Sequence, residues 1–227
     1  MATIFLIRHG ENEYVAKGRL AGRLPGVHLN DNGSQQAQAV AQALAKAPIK
    51  AVYSSPMERC METAQPLAET LKLEVIPQDG LLEVDFGAWQ DKTLKDLRRR
   101  KLWKVVQANP SRLQFPEGET FAHAQQRIVQ TLEQLNQQHD PKDLIVCFSH
   151  SDLIKLALSY YLGQPLDLFQ RIMISPASLS ILHLGEMGAQ IVTLNHSAAN
   201  FAISQPKAKS KKKPKADAQK PEAASKS

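Results

Sequence analysis

Two short apolar runs limit this chain to folds that bury the middle of a β-sheet. Residues 3–7 and 143–148 are mainly β-branched, aliphatic and aromatic, as is typical of strands. A strand this apolar needs cover on both faces, as in the parallel sheets of α/β proteins. Each run is followed at once by polar residues, which are Arg8, His9, Gly10 and Glu11 after the first and Ser149 and His150 after the second. Open α/β sheets bind ligands at the carboxyl ends of their strands, so both runs predict functional side chains there.

The positive charge of the chain is confined to its C-terminal tail. The 227 residues carry a formal net charge of +6, but residues 206–227 hold eight Lys against Asp217 and Glu222. Residues 1–205 are therefore neutral overall and form the predicted domain. The tail lacks aromatic and large apolar residues and predicts a disordered extension. Weak attachment of this tail to nucleic acid or anionic lipid is the less favoured interpretation.

The two cysteines and the absence of long apolar runs indicate where the protein acts. Cys147 lies in a strand pattern and Cys60 in a helical pattern, which argues against a disulfide framework and favours a reducing cytoplasm. No apolar run approaches the length that spans a bilayer, and no leader precedes the first strand. We expect a cytoplasmic protein with no membrane partner; its oligomeric state is left open.

The order of the predicted elements indicates a three-layer α/β sandwich with a mainly parallel sheet. The predicted strands are residues 3–7, 49–53, 73–76 and 143–148, followed by a hairpin of residues 178–184 and 190–194. Residues 79–118 combine aromatic, glycine and charged residues, and they predict a helical lid inserted over the carboxyl ends of the strands.

Capping residues predict where the helices begin. Asp31 or Asn32 can cap the first long helix, after an irregular loop of residues 11–33 that is long enough to be functional. Ser55 as N-cap, with proline at the first helical position, predicts the second helix. Pro66 is expected to kink that helix. Thr120 is expected to cap a third, long helix.

Four segments should bring ionisable side chains to one edge of the sheet. Arg8 and His9 follow the first strand, Arg59 lies in the first turn of a helix, Glu83 follows a short strand, and His150 follows the last parallel strand. Two Arg and two His make a pocket suited to phosphate. The serines beside His150 lack the elbow of a serine hydrolase. The residues also lack the clustering of a metal site and the glycine-rich loop of a nucleotide site.

The same residues resemble the motifs of the histidine phosphatase superfamily, also called phosphoglycerate-mutase-like. The matching motifs are Arg8-His9-Gly10-Glu11, Ser54-Ser55-Pro56 with Arg59, Glu83 before Asp85-Phe86-Gly87, and Ser149-His150. The resemblance implies that His9 is the nucleophile and becomes a phosphohistidine. It implies that Arg8, Arg59 and His150 hold the phosphoryl oxygens and that Glu83 is the general acid and base. It implies no metal or other cofactor.

One position departs from the family pattern. Many members carry asparagine four residues after the motif glutamate, as a further phosphate donor, whereas this chain has Val15. Asn12 or Arg19 is expected to substitute. The residue after the second motif histidine is often glycine or alanine, and here it is Ser151.

The resemblance favours a phosphatase acting on a small phosphorylated metabolite. A cofactor-dependent phosphoglycerate mutase is the alternative, although the residues after Glu83 differ from the glycolytic mutase pattern. A non-catalytic module, which binds phosphate or acts through its tail, is the second alternative. The basic residues 98–101 and the loop with Arg19 and Arg23 suggest a substrate with a second acidic group, although a solvated helix face is the commoner role of such a run.

Overall fold

The structure, a computed structural model, describes residues 2–197. Its strands are β1 (Thr3–Arg8), β2 (Ile49–Ser54), β3 (Val75–Pro77), β4 (Leu144–Ser149), β5 (Ser178–Gly185) and β6 (Gly188–Ser197). They form one six-stranded sheet in the order β3-β2-β4-β1-β5-β6. Strands β1 to β4 are parallel, β5 pairs with β1 in the antiparallel sense, and β6 pairs antiparallel with β5 as the second strand of the hairpin. The mainly parallel sheet and the hairpin are thus confirmed.

The helices occupy both sides of this sheet. They are α1 (Glu13–Ala16), α2 (Asp31–Leu44), α3 (Glu58–Leu71), α4 (Leu94–Leu97), α5 (Lys101–Ala108), α6 (Phe121–Gln137) and α7 (Ser151–Tyr161). Phe5 and Ile7 of β1 pack in one apolar cluster with α2 and α3, and Ile4 and Leu6 pack in a second cluster with α6 and α7. Successive strand side chains point to opposite faces. Burial on both faces therefore accounts for the unbroken apolar run of β1, and the three-layer sandwich is confirmed.

The pairing register brings the ends of the parallel strands together. Arg8, the last residue of β1, pairs with Ser149, the last residue of β4. The His9 amide then donates to the Ser149 carbonyl at 2.9 Å, and the Ser55 amide after β2 donates to the Phe148 carbonyl at 2.9 Å. The polar residues that follow β1, β2 and β4 consequently meet at one edge of the sheet.

Several predicted boundaries were wrong. Helix α3 begins at Glu58, and its N-cap is Met57 without a side-chain cap bond, because the Ser55 hydroxyl contacts a histidine of the site instead. Helix α2 is capped by Asn30, whose side chain accepts from the Gly33 amide. Strand β3 comprises residues 75–77 rather than 73–76, and α1 interrupts the loop predicted for residues 11–33. Tertiary contacts outweigh local capping signals here.

The prediction of the Thr120 cap is confirmed, whereas the kink expected at Pro66 stays a prediction. Thr120 caps α6 by accepting from the His123 amide. Pro66 lies inside α3, which continues to Leu71. The proline ring costs one helical hydrogen bond at that point, and burial of the apolar face of α3 offsets it.

Residues 79–118 consist of short helical pieces around an aromatic cluster. The rings of Phe86 and Trp89 both pack edge-on against Phe115, with centroid distances of 5.1 and 5.4 Å. Gly87 has a positive φ of 49°, and a Cβ there would lie 2.1 Å from a backbone oxygen. A Cβ on Gly118 would lie 2.3 Å from the Asp85 carbonyl oxygen. This close backbone approach, together with the aromatic rings, fixes the loop that carries Glu83.

The remaining predictions on chain organisation fall partly outside residues 2–197. The end of the predicted domain at residue 205 and the tail of residues 206–227 lie beyond the described residues. Within the described part of the chain, no helix is long and apolar enough to cross a membrane. Cys60 and Cys147 are both buried and unpaired.

Candidate active site

Two arginines lie at the carboxyl edge of the sheet, and each has at least one buried nitrogen that lacks an acceptor within residues 2–197. Arg8, at the end of β1, donates through Nη1 to the Ile174 carbonyl at 2.8 Å. Arg59, in the first turn of α3, is 1% exposed and donates through Nη2 to the Gly22 carbonyl at 2.7 Å. Arg8 Nε and Arg59 Nε and Nη1 are buried without a hydrogen-bond partner among the described residues. Buried donors of this kind are costly unless an acceptor occupies the site, so they define an anion pocket.

The imidazole of His9 is fixed in one tautomer. Nδ1 lies 2.7 Å from the carbonyl oxygen of Gly10. A carbonyl can only accept, so Nδ1 carries the proton and Nε2 has the free lone pair. Burial, followed by the positive charges of Arg59 and Arg8, lowers the pKa of His9 well below its usual 6.5. His9 is therefore neutral at pH 7 and can act as a nucleophile.

His150 contacts the arginine and serine of the neighbouring segments. Nδ1 accepts from Arg59 Nη2 at 3.1 Å, which leaves the proton on Nε2, and Nε2 donates to the Ser55 hydroxyl at 2.9 Å. Burial and then the charge of Arg59 lower the pKa of His150 well below 6.5. Its ring lies edge-on to that of His9 with centroids 5.3 Å apart. Both nitrogens are thus engaged, and a direct contact of His150 with phosphate stays a prediction.

Glu83 lies in the loop after β3, with its side chain directed into the site. Its Oε2 is 4.0 Å from His150 Nδ1, and its Oε1 accepts from the Val84 amide at 3.0 Å. Burial, and then the negative charge of Asp152, raises the pKa of Glu83 from 4.5 to about 7. Near neutral pH the carboxyl group can therefore both donate and accept a proton, as a general acid and base must.

The two residues expected to replace the missing family asparagine lie differently. Asn12 caps α1 through Oδ1, which accepts from the Val15 amide at 2.9 Å, while its buried Nδ2 has no partner among the described residues. Arg19 forms an ion pair with Asp91 and lies over the ring of Tyr14. Asn12 thus offers a free donor, whereas Arg19 is engaged through Nη2 and only its buried Nε has no partner in the described part of the chain.

These groups surround a cavity of about 330 Å³. Arg8, His9, Arg59 and Glu83 line it, as do Asn12 and Arg19, and Trp89 and Trp103 form part of an aromatic wall. His150 lies behind Arg59 rather than in the lining. The sequence segments are thus brought together as expected. A volume of this size fits a small ligand.

Most of the basic residues suggested for a second acidic group do not face this cavity. Residues 98–101 are exposed on the protein surface and do not line it. Arg23 instead donates to the Glu83 carbonyl and to the Glu119 carboxylate. Lys155 does line the cavity, but it is paired with Asp152 at 3.0 Å. Among the described residues, Arg19 is the one member of the suggested set that lines the cavity, and it is paired with Asp91 while its Nε has no partner.

Two residues near Glu83 carry no functional signal of their own in the sequence, and a third has a role other than the predicted one. Glu119 belongs to a loop and Arg127 to an amphipathic helix, where a charged side chain indicates only a solvated surface. Arg23 holds the Glu83 carbonyl rather than a substrate. The sequence feature that indicates this arrangement is the pair Gly87 and Gly118, where two backbone segments approach too closely for a side chain.

The described part of the chain offers no metal site as a further candidate. Within residues 2–197, no cluster of three or more His, Cys, Asp or Glu residues could hold an ion.

The sheet with a cationic cavity at its carboxyl edge defines an α/β protein built to bind an anion. A profile of the histidine phosphatase superfamily (branch 1) matches residues 4–197. Phosphoserine phosphatase 1 of Hydrogenobacter thermophilus is 30% identical over 197 residues, which cover 86% of this chain and 92% of that protein. The chain therefore belongs to the histidine phosphatase superfamily.

Relatives of both reaction types occur within this family. The 2,3-bisphosphoglycerate-dependent phosphoglycerate mutase of Thermoplasma acidophilum is 28% identical over 194 residues, covering 86% of this chain and 92% of the mutase. A solved structure, phosphoserine phosphatase from Entamoeba histolytica in complex with 3-phosphoglyceric acid, matches with a TM-score of 0.80 and 27% identity. The match covers 88% of this chain and 99% of that structure.

Proposed function

We propose that this protein hydrolyses phosphomonoesters of small metabolites through a phosphohistidine on His9. The observation that carries the proposal is the neutral, buried imidazole of His9, with its free Nε2 beside two arginines that have unpaired donors. Guanidinium groups recognise phosphate through paired hydrogen bonds. The phosphatases among the relatives agree with this assignment.

In the first step, the lone pair of His9 Nε2 attacks phosphorus and the bond from phosphorus to the leaving oxygen breaks. The proton on Glu83 passes to the leaving oxygen, so an alcohol departs and Glu83 becomes a carboxylate. Arg8 and Arg59 stabilise the charge on the transferring group. The Gly10 carbonyl accepts from Nδ1–H and stabilises the positive charge that develops on the ring.

In the second step, water attacks the phosphohistidine. The Glu83 carboxylate takes a proton from the water, the bond from phosphorus to Nε2 breaks, and the lone pair returns to His9. Inorganic phosphate then leaves, and both groups regain their starting protonation states. A pKa of about 7 for Glu83 suits both directions of proton transfer.

Hydrolysis is favoured over phosphoglycerate mutase chemistry by the charges around the cavity. A mutase must hold a substrate that carries a carboxylate besides its phosphate. Within the described residues, Arg19 and Lys155 are the cavity cations beyond Arg8 and Arg59, and each is paired with an aspartate. A second acidic group would have to share one of these cations with its aspartate, whereas water needs no such site.

The test of the reaction is made on the full chain. We expect phosphate release from an aryl phosphate and an acid-labile, alkali-stable phosphoenzyme, both absent from His9→Ala and both retained in His28→Ala, a variant of an exposed histidine that does not line the cavity. Turnover by His9→Ala, or no turnover by the wild type, would refute the proposal.

The mutase alternative is tested with 3-phosphoglycerate in the presence of 2,3-bisphosphoglycerate. Phosphate should appear faster than 2-phosphoglycerate. The opposite order of rates would assign the protein to the mutases, as the Thermoplasma relative is named.

A further inference from the structure

Three charged residues outside the cavity hold the backbone of the Glu83 loop. Arg127, on α6, donates through Nη1 to the Gly80 carbonyl at 2.9 Å and to the Leu82 carbonyl at 2.8 Å. Arg23 donates through Nε to the Glu83 carbonyl at 2.7 Å. Residues 82–86 belong to no helix or strand. The hydrogen bonds from the two arginines therefore fix this segment in place of the regular backbone hydrogen bonds of a helix or sheet.

Glu119 joins the two arginines. Its Oε1 accepts from Arg23 Nη2 at 2.9 Å, from Arg127 Nη2 at 2.8 Å and from the Asp85 amide at 2.9 Å. Its Oε2 lies 3.2 Å from His123 Nδ1, and the side chain is 9% exposed. A buried carboxylate is stable only with such partners. Three donors on one oxygen leave this side chain little freedom.

The network touches Glu83 only through its backbone. Arg23, Glu119 and Arg127 do not line the cavity, so they have no contact with a substrate bound there. They contact the carbonyl of Glu83 and the amide of Asp85, on the two sides of Val84. The position of the Glu83 carboxyl group relative to His9 therefore depends on the network.

We infer that Glu119, with Arg23 and Arg127, is a positioning residue that holds Glu83 in place for proton transfer to the leaving oxygen; the inference rests on the proposed hydrolase function. Proton transfer requires hydrogen-bond distance between Glu83 and the leaving atom. Displacement of a catalytic group by about 1 Å costs on the order of 100-fold in rate. Loss of the negative charge of Glu119 weakens the shared acceptor and leaves the two neighbouring guanidinium groups to repel each other.

Substrates with different leaving groups distinguish a positioning role of Glu119 from a general structural role. p-Nitrophenolate is a weak base and departs without protonation, whereas an alkoxide needs the proton of Glu83. Glu119→Gln should therefore lower kcat/KM for an alkyl phosphate such as glycerol 2-phosphate by roughly 10- to 100-fold, and that for p-nitrophenyl phosphate by less than about threefold. The matched control is Glu117→Gln, an exposed residue of the same loop, which should change neither value.

A second variant, Arg23→Lys, tests the inference if Glu119→Gln fails to fold. Arg23→Lys keeps a positive charge but cannot span the Glu83 carbonyl and Glu119 together, and it should give the same substrate-dependent pattern to a smaller degree. Circular dichroism at the assay temperature confirms that the variants are folded. If Arg23→Lys and Glu119→Gln lower kcat/KM equally for both substrates, or do not lower it at all, the positioning inference is wrong. The proposed function still stands in that case, provided that the wild type hydrolyses the substrates. If the wild type hydrolyses neither substrate, the proposed function itself fails.

Discussion

Replacement of Glu83 by glutamine should raise the stability of the protein at alkaline pH while it abolishes proton donation. Glutamine has nearly the same shape as glutamate and carries no ionisable group. In the folded protein, burial and the nearby Asp152 charge raise the pKa of Glu83 to about 7, compared with its usual 4.5. Between these two values the folded protein retains a proton on Glu83 that the unfolded chain has released. The free energy of unfolding of the wild type therefore decreases as the pH rises through this window and is level above it.

The size of this effect follows from the two pKa values. The difference corresponds to roughly 3 kcal/mol, at about 1.4 kcal/mol for each tenfold change in proton affinity. Glu83→Gln lacks this contribution, so the difference in stability between variant and wild type should grow by about that amount from pH 5 to pH 8. For a chain of this size, about 1 kcal/mol moves the melting temperature by roughly 2–4 °C, so the total shift is roughly 6–12 °C.

The assay is urea unfolding followed by circular dichroism at pH 5 and pH 8, for the wild type, Glu83→Gln and the exposed control Glu117→Gln. The control should follow the wild type at both pH values. In parallel, kcat for an alkyl phosphate should fall by about 10²- to 10⁴-fold in Glu83→Gln. If the wild type and Glu83→Gln show the same dependence of stability on pH, the buried carboxyl group does not have a raised pKa, and its assignment as the acid fails.

Three further variants test other parts of the site. Arg59→Lys should lower kcat/KM by about 100-fold, because one ammonium group replaces a guanidinium that has two free nitrogens; this is measured by steady-state kinetics. Asp152→Asn should move the alkaline limb of the rate profile to lower pH, because loss of a neighbouring negative charge lowers the pKa of Glu83. Gly22→Ala should destabilise the fold by about 1–3 kcal/mol in urea unfolding, because φ is +56° and a Cβ there would lie 2.4 Å from a glutamine oxygen.

Each of these variants has an internal control. Arg98→Lys changes an exposed arginine away from the cavity, and equal losses in it and in Arg59→Lys would contradict the phosphate role. If the alkaline limb of the rate profile does not move in Asp152→Asn, the charge of Asp152 does not raise the pKa of Glu83. Gly163 also has a positive φ, of 65°, but a Cβ there meets no atom within 4 Å. If Gly163→Ala costs as much as Gly22→Ala, backbone strain alone explains the loss.

Local patterns were weakest where a tertiary contact competes with them. Ser55 has the sequence of a helix cap, yet its hydroxyl accepts from His150, and the helix begins at Glu58. The sequence predicts Arg19 as a phosphate donor, but its Nη2 pairs with Asp91. In both cases a partner distant in the sequence offers a stronger interaction than the local one, and the spacing of residues along the chain contains no sign of it.

The sequence by itself determined the fold class and the convergence of the candidate site. Apolar runs such as that of β1 are buried on both faces, and parallel strands necessarily present their carboxyl ends at one edge. The order of these runs therefore sufficed to place Arg8 and His9 beside Ser149 and His150. These features depend on local composition and on chain direction, which the sequence records directly.

The tertiary structure alone decided the chemical state of the site. The proton on His9 Nδ1, the raised pKa of Glu83 and the contacts of Glu119 arise from burial and from hydrogen bonds between loops far apart in the sequence. Desolvation depends on everything that surrounds a group, and a bond from a side chain to a distant carbonyl has no periodic pattern in the sequence. The residues of the candidate site were thus readable from the sequence, whereas their protonation and support follow from three-dimensional packing.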